Sequence, residues 1–356
     1  MPLYVIDNCF IGFETDENPE ILKMENHKKY ILIVIFTSLV ILFTFLYLFY
    51  KEVNFYALRD QPKDGDIIRK SLIHEGINRK YLIYKPSKIN KNPPLVIYFH
   101  GSLGTGENMR NLSGFDFDYL ADEYGFVVAY PDGYENHWND CRRSASYSAN
   151  FKNIDDVGFV KALISQLHSD FNIDPEKVIV SGFSNGGHMV YRLAMEAPES
   201  IFIAAPIAAN MPVDENLDCV KSELPVHITI FNGTEDPINP YEGGLVEVLG
   251  NKSRGQVLSS EKTLNYWAGL ADVLDQEVKI TNFPDTDGNP ETKVSKISLS
   301  GQRDVSLYRL EGSGHVVPSK FMNFGEILGG NAKEISAAEE IFSFYKSLTL
   351  KSSMSE

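Results

Sequence analysis

Gly182-Phe183-Ser184-Asn185-Gly186 sets a hydroxyl nucleophile between two glycines, at the end of an apolar, β-branched run from Val178 to Val180. Behind it Met189, Val190, Leu193 and Ala194 recur at helical spacing. A strand that turns sharply into a helix exposes a serine hydroxyl at the tip of the turn. Side chains flanking that tip would collide with neighbouring backbone, so Gly182 and Gly186 are required as glycines. The free N–H groups and positive dipole end of the following helix face the point where a carbonyl under attack gathers negative charge. The Asn185 N–H is therefore a candidate oxyanion donor.

A serine hydroxyl is a weak nucleophile unless an imidazole takes its proton, and the imidazole needs a buried carboxylate to fix its tautomer and stabilise its charge. Both groups are expected after the serine, in the order acid then histidine, on loops that leave strand ends. The run Val226 to Phe231 leads into Asn232-Gly-Thr-Glu-Asp236-Pro, which nominates Asp236 as the acid with Glu235 as runner-up. The run Val305 to Leu310 leads into Glu311-Gly-Ser-Gly-His315, which nominates His315 as the base. His100-Gly101-Ser102 closes another apolar run, Leu95 to Phe99; a turn of this type supplies the second oxyanion N–H, that of Ser102, with His100 and Gly101 bracing the loop. His188 falls one helical turn beyond Ser184 and reads as packing, while His27, His74, His137, His168 and His227 stand in no motif. Asp285-Thr-Asp-Gly-Asn289 reads as a turn rather than a calcium loop, because its glycine falls at the fourth position and not the sixth. No metal site and no cofactor are expected.

The elements that must position these groups alternate. Strand character at Arg79 to Tyr84, Leu95 to Phe99, Phe126 to Tyr130, Val178 to Val180, Ile201 to Ala208, Val226 to Phe231 and Val305 to Leu310 is interleaved with helical patterns. The helical segments are Asp118 to Tyr124, Val157 to Phe171, the segment after Ser184, Lys262 to Val273, and Ala332 to Leu348. This rhythm predicts an α/β fold, a mostly parallel sheet with helices on both faces. Asn282 to Thr292 reads as a loose insert.

The chain has 356 residues, 43% of them hydrophobic, enough for one large core plus an appendage. Its net charge of −15, with no basic cluster, argues against nucleic acid as a partner. The appendage is N-terminal: Ile31 to Tyr50 carries no charge, glycine or proline and matches the roughly 20 residues that cross a bilayer core. Tyr30, Tyr47 and Tyr50 suit the interfaces, and the Lys23, Lys28 and Lys29 side favours a cytoplasmic N-terminus. The run exceeds the roughly 7 to 15 residues of a cleaved signal's apolar region, which favours an uncleaved membrane anchor with the remaining chain outside the cytoplasm. The expected divisions are a cytoplasmic segment 1–29, whose start is open between Met1 and Met24, a transmembrane segment 30–50, a stalk 51–74 and a catalytic domain 75–350. Of three cysteines, Cys9 stays behind the membrane or is never translated; Cys141 and Cys219 share an oxidising space, on loops leaving the same side of the sheet, and are expected to pair.

Tyr98-Phe-His-Gly101, Tyr130-Pro-Asp-Gly133 with Trp138, Asp155-Asp-Val-Gly-Phe159, Ile173-Asp-Pro175, Ser181-Gly-Phe-Ser-Asn-Gly-Gly187, Gly233-Thr-Glu-Asp-Pro237 with Pro240-Tyr241, and Gly314-His315 resemble, in order, the polyhydroxybutyrate depolymerase and feruloyl or acetylxylan esterase family of α/β-hydrolases. The resemblance spans roughly residues 75 to 345. It implies the α/β-hydrolase fold and hydrolysis of small or polymeric esters, either hydroxyalkanoate polyesters or acylated plant polysaccharides, through Ser184, Asp236 and His315. The chain departs from the family after the histidine: Val316-Val-Pro-Ser319 stands where Thr-Trp-Pro-Gly is usual, so an aromatic bordering the substrate is missing. A peptidase of the same fold, and a membrane-tethered binding protein on an inactive scaffold, are the alternative readings.

Overall fold

The computed structural model describes residues 19–53, 55–248, 250–325 and 327–355. The first 18 residues of the expected cytoplasmic segment, Cys9 among them, lie outside the described residues. The chain divides into two units after Glu52.

In the first unit, helix α1 (Pro19–Val53) contains His27–Tyr47, of mean hydropathy 2.5 and exposed along its length. At 1.5 Å per residue this stretch is about 30 Å long, the thickness of a bilayer core. Its two threonines return their hydroxyls to the helix's own carbonyls, Thr37 Oγ1 to Ile33 O at 2.9 Å and Thr44 Oγ1 to Val40 O at 2.7 Å, which lowers the cost of carrying them in an apolar medium.

The second unit is built on a ten-stranded sheet. Its strands are β1 (Asp66–His74), β2 (Ile77–Lys85), β3 (Leu95–Phe99), β4 (Val127–Pro131), β5 (Val178–Phe183), β6 (Ile203–Ile207), β7 (His227–Gly233), β8 (Lys279–Asn282), β9 (Lys293–Leu299) and β10 (Val305–Glu311). They lie in the order β8-β9-β10-β7-β6-β5-β3-β4-β2-β1. The six strands from β10 to β4 run parallel, and an antiparallel pair closes each side. This order, with the helices below, is the α/β-hydrolase fold.

Period-two alternation sorts the strand residues onto two faces. Ile83, Ile97, Val180 and Ile230 join one core with α5 (Asp156–Phe171), α6 (Asn185–Glu196) and α7 (Ser260–Leu270). Tyr84, Tyr98, Ile179 and Phe231 join the other with α2 (Gly106–Leu112), α3 (Asp116–Tyr124) and α8 (Ala337–Ser355). A single turn, α4 (Ser148–Phe151), lies in the long connection after β4.

Two boundaries differ from the sequence reading. Residues 66–74, expected as part of a stalk, form β1 along the whole of β2, from Asp66 against Lys85 to His74 against Ile77. The strand is an edge with only its inner side half-buried, so its sequence stays polar. Helix α8 begins at Ala337 rather than Ala332, because Ala332 N–H is engaged by Ser313 Oγ at 2.8 Å and the stretch docks beside the His315 loop. The 282–292 insert joins β8 to β9, and Asp285 closes the expected turn by accepting from Gly288 N–H at 2.7 Å.

Candidate active site

Ser184 sits between β5 and α6 with φ 55° and ψ −116°, a backbone region that residues with a side chain rarely adopt. Holding it there costs on the order of 1–3 kcal/mol, drawn from the packing around it. Its N–H donates to Ile207 O on β6 at 2.9 Å, and its carbonyl accepts the His188 N–H at 3.0 Å. A Cβ on Gly182 would strike Gly186 O, and one on Gly186 would strike the carbonyls of Phe99 and His100. Both contacts are backbone and cannot swing away, which is why the turn needs glycine on either side.

The loop after β7 carries Asp236, whose Oδ1 accepts from the N–H groups of Ile238 and Asn239, each at 2.8 Å. Its Oδ2 lies 2.7 Å from His315 Nδ1, with both side chains buried. Glu235, the runner-up, is exposed; its backbone N–H donates to Ser313 O at 2.9 Å and helps hold the histidine loop. His315 N–H donates to Leu328 O at 2.7 Å, and the imidazole packs 4.9 Å from the Phe183 ring, centroid to centroid.

The Gly101–Ser102 loop, the candidate oxyanion loop, lies against the serine: a Cβ on Gly101 would stand 3.4 Å from Ser184 Cβ. His100 braces it. Nδ1–H donates to Gly101 O at 2.7 Å, and Nε2 accepts the Gly133 N–H at 2.9 Å. Burial pushes this imidazole down to about 4, so it stays neutral, the form that makes both bonds. Trp138 Nε1 caps His100 O at 3.0 Å, and Ser102 Oγ donates to Tyr147 OH at 3.0 Å.

Asn185 holds the elbow from the other side. Its Oδ1 accepts from Trp138 N–H at 2.8 Å and its Nδ2 donates to Asp140 Oδ2 at 2.6 Å. Burial opposes ionisation of Asp140, but the Arg142 guanidinium, 2.5 Å from Oδ2, more than offsets this and holds the carboxyl below its usual range. Cys141, between them in sequence, forms a disulfide with Cys219 across a Cα separation of 5.0 Å, the pairing expected from the sequence. Asp140 and Arg142 lie in no sequence motif that singles them out, and only the fold brings them to the elbow.

A cavity of about 370 Å³ opens over the serine. Ser184, His315, Ser102 and Gly101 line it together with His188, Arg142, Tyr147 and Arg254. His188 corrects the sequence reading: it is buried as expected, yet it faces this cavity. Burial first, and the nearby Arg142 second, push its imidazole well below the usual histidine range, and its Nδ1 has no protein partner. Among the described residues one trio, His74, Glu75 and Asp155, gathers three groups able to ligate a metal within 4.8 Å. It sits on the β1–β2 turn and the N-terminus of α5, where Asp155 already caps Gly158 N–H.

Residues 79–224 match the family model described as esterase PHB depolymerase, that is, polyhydroxybutyrate depolymerase. The chain is 26% identical over 269 residues to acetylxylan esterase A of Talaromyces purpureogenus, covering 65% of this chain and 68% of that one. It is 30% identical over 184 residues to feruloyl esterase B of Piromyces equi, covering 49% and 32%. It is 27% identical over 245 residues to the poly(3-hydroxybutyrate) depolymerase of Ralstonia pickettii, covering 61% and 49%. The last two are matched over less than half of their own length. Sheet order, elbow and family match converge: the chain is a carboxylic ester hydrolase of the α/β-hydrolase fold, similar over residues 79–224 to the polyhydroxybutyrate depolymerase esterases.

Proposed function

We propose that the protein is a serine esterase working through Ser184, His315 and Asp236, and that its catalytic unit faces outward from a membrane held by α1. The observation that carries the triad is the 2.7 Å contact of His315 Nδ1 with Asp236 Oδ2, in a cavity whose wall also holds the strained Ser184. His315 Nε2 takes the hydroxyl proton as Ser184 Oγ bonds to the ester carbonyl carbon. The carbonyl oxygen becomes an anion and accepts the N–H groups of Asn185 and Ser102. The tetrahedral adduct collapses, His315 gives its proton to the departing alcohol, and an acyl-serine remains. Water, deprotonated by the same imidazole, repeats the sequence and releases the acid. Asp236 stays ionised throughout and stabilises the imidazolium. The substrates are esters of the kinds named for the relatives, acetyl or feruloyl esters of polysaccharides or hydroxyalkanoate esters. Outward orientation is supported by the apolar α1 stretch and by the disulfide, a bond that persists in oxidising compartments.

A fluorophosphonate probe should label the wild type and leave Ser184→Ala unlabelled, and a short-chain 4-nitrophenyl ester should be hydrolysed by the first and not the second. Near wild-type hydrolysis by a folded Ser184→Ala would sink the triad. Recovery of intact chain as a soluble cytosolic protein would sink the topology.

A further inference from the structure

We propose that Arg254 is a carboxylate anchor, so that the cavity over Ser184 selects esters that carry a negative charge on the acyl or the alcohol portion. The proposal rests on the esterase reading above and adds the substrate class.

Two guanidiniums line the cavity, and they differ in what neutralises them. Arg142 is buried against Asp140, its charge already balanced. Arg254 has no carboxylate within 4.0 Å among the described residues, and its bonds go to neutral oxygens only, Nε to Tyr147 OH at 2.8 Å and Nη1 to Asn251 O at 3.4 Å. This occurs in a chain with 48 acidic and 33 basic side chains, in which a cation has no shortage of partners. An arginine left with one unit of uncompensated charge, at the wall of the cavity where substrate sits, supplies a binding energy that only an anion uses in full.

Position and rigidity argue the same way. Arg254 lies in the connection between two short paired segments, Gly244–Leu245 and Gln256–Val257, and its carbonyl is held by Asn216 Nδ2 at 3.0 Å. The Tyr147 ring that fixes Nε is itself stacked on His137 at 4.3 Å and shares its hydroxyl with Ser102 Oγ at 3.0 Å. One phenol oxygen thus stands between the guanidinium and the loop that would hold the oxyanion. With Nε occupied, the terminal nitrogens keep the planar fork that receives a carboxylate through two parallel bonds. A charge-assisted pair of this kind is worth roughly tenfold to a hundredfold in affinity.

Two matched pairs of substrates test this on the full-length protein. Mono-4-nitrophenyl adipate against 4-nitrophenyl hexanoate puts the charge on the acyl side, and 4-carboxyphenyl butyrate against phenyl butyrate puts it on the alcohol side. In Arg254→Met, kcat/KM for the charged member of at least one pair should fall tenfold or more, through KM, while both neutral members change less than about threefold. Arg254→Lys should recover part of the loss, and Arg254→Glu should favour the neutral member of the same pair. Equal losses for charged and neutral members, or no loss in either pair, would overturn the anchor and leave the esterase untouched. Calorimetric binding of the charged esters to Ser184→Ala, with and without Arg254→Met, reads the anchor without turnover: affinity that does not depend on Arg254 also overturns it, and that result is distinct from a failure of the triad.

Discussion

Asn185 and Arg142 converge on a single oxygen, Asp140 Oδ2, at 2.6 and 2.5 Å. This oxygen ties the turn that presents the nucleophile to the loop that carries the disulfide. Removing it strands a fully buried guanidinium without its counter-charge, a loss of about 3–5 kcal/mol. Asp140→Ala should therefore unfold at markedly lower denaturant, and its kcat should fall as Asn185 loses its hold. Asn185→Ala keeps the backbone N–H and the Asp140–Arg142 pair, so it should lose kcat with a smaller loss of stability. Urea melts and initial rates on both variants measure the two effects, and a wild-type midpoint for Asp140→Ala would remove the coupling.

The proposed triad of Ser184, His315 and Asp236 predicts losses that do not add. Ser184→Ala and His315→Ala should each lower kcat by roughly 10⁴-fold or more, and the double variant no further, because neither group has anything to do alone. Asp236→Asn should cost somewhat less, since the imidazole survives in the wrong tautomer. Single-turnover kinetics on all four proteins decides, and independent, additive losses would mean separate roles.

Gly186 and Gly101 both adjoin Ser184 and should respond differently to alanine. At Gly186 the new methyl meets two backbone carbonyls, whereas at Gly101 it meets the edge of the Phe183 ring at 3.1 Å, which a small rotation relieves. Gly186→Ala should be inactive and destabilised by more than about 2 kcal/mol, with Gly101→Ala affected less on both counts. Circular dichroism melts beside activity would show the order, and equal behaviour would contradict it.

The disulfide closes a loop of sequence separation 78, for which the chain-entropy relation gives about 4.5 kcal/mol. Titration of the denatured, unreduced full chain should find one thiol, that of Cys9, and three after reduction. Reduction should lower the melting temperature of the wild type and leave a Cys141→Ser, Cys219→Ser protein unchanged. Three thiols before reduction would rule the bridge out.

Burial, aided by Arg303, pushes the His227 imidazole down to about 4. Its Nδ1 accepts the Asp304 N–H at 3.0 Å, a bond that protonation removes. Below about pH 6.5 the unfolded chain takes up a proton that the folded chain refuses until about pH 4, so the contribution is fully present above 6.5 and lost on acidification across that window. Asp116 and Asp118, raised to about 6 by burial, act in the opposite sense between about pH 4 and 6. Comparing wild type with His227→Gln cancels the carboxylates. The wild type should lose roughly 2 kcal/mol relative to the variant between pH 7 and 4.5, read from denaturant melts at each pH. A pH-independent difference would show that the histidine does not titrate as described.

The sheet is legible from fully apolar strands, and the residues proposed as the triad are singled out by local signals: glycines around a serine, and an acid and a histidine just past strand ends. His188 is buried, as a packing residue should be, and also lines the cavity. Side chains on a helix lean toward its N-terminus, so a residue one turn on reaches back over the turn before it, here toward Ser184. β1 escaped notice because an edge strand with one half-buried side alternates too weakly. Arg254 and Tyr147 stand 107 residues apart and carry no motif; their meeting is a product of tertiary packing.

The parallel arrangement of β5, β7 and β10 also governs when catalytic power appears during folding. Asp236 and His315 are 79 residues apart in the chain, and the strands that deliver them become neighbours only when β10 registers on β7. Closing such a connection carries an entropic cost before any contact rewards it, which places parallel, long-range pairing late and slow. Helices and the β1–β2 hairpin, made of near neighbours, form without it. Regain of ester hydrolysis on refolding therefore trails regain of helical signal, and a collapsed chain with native secondary structure but unregistered β10 is a chemically silent species.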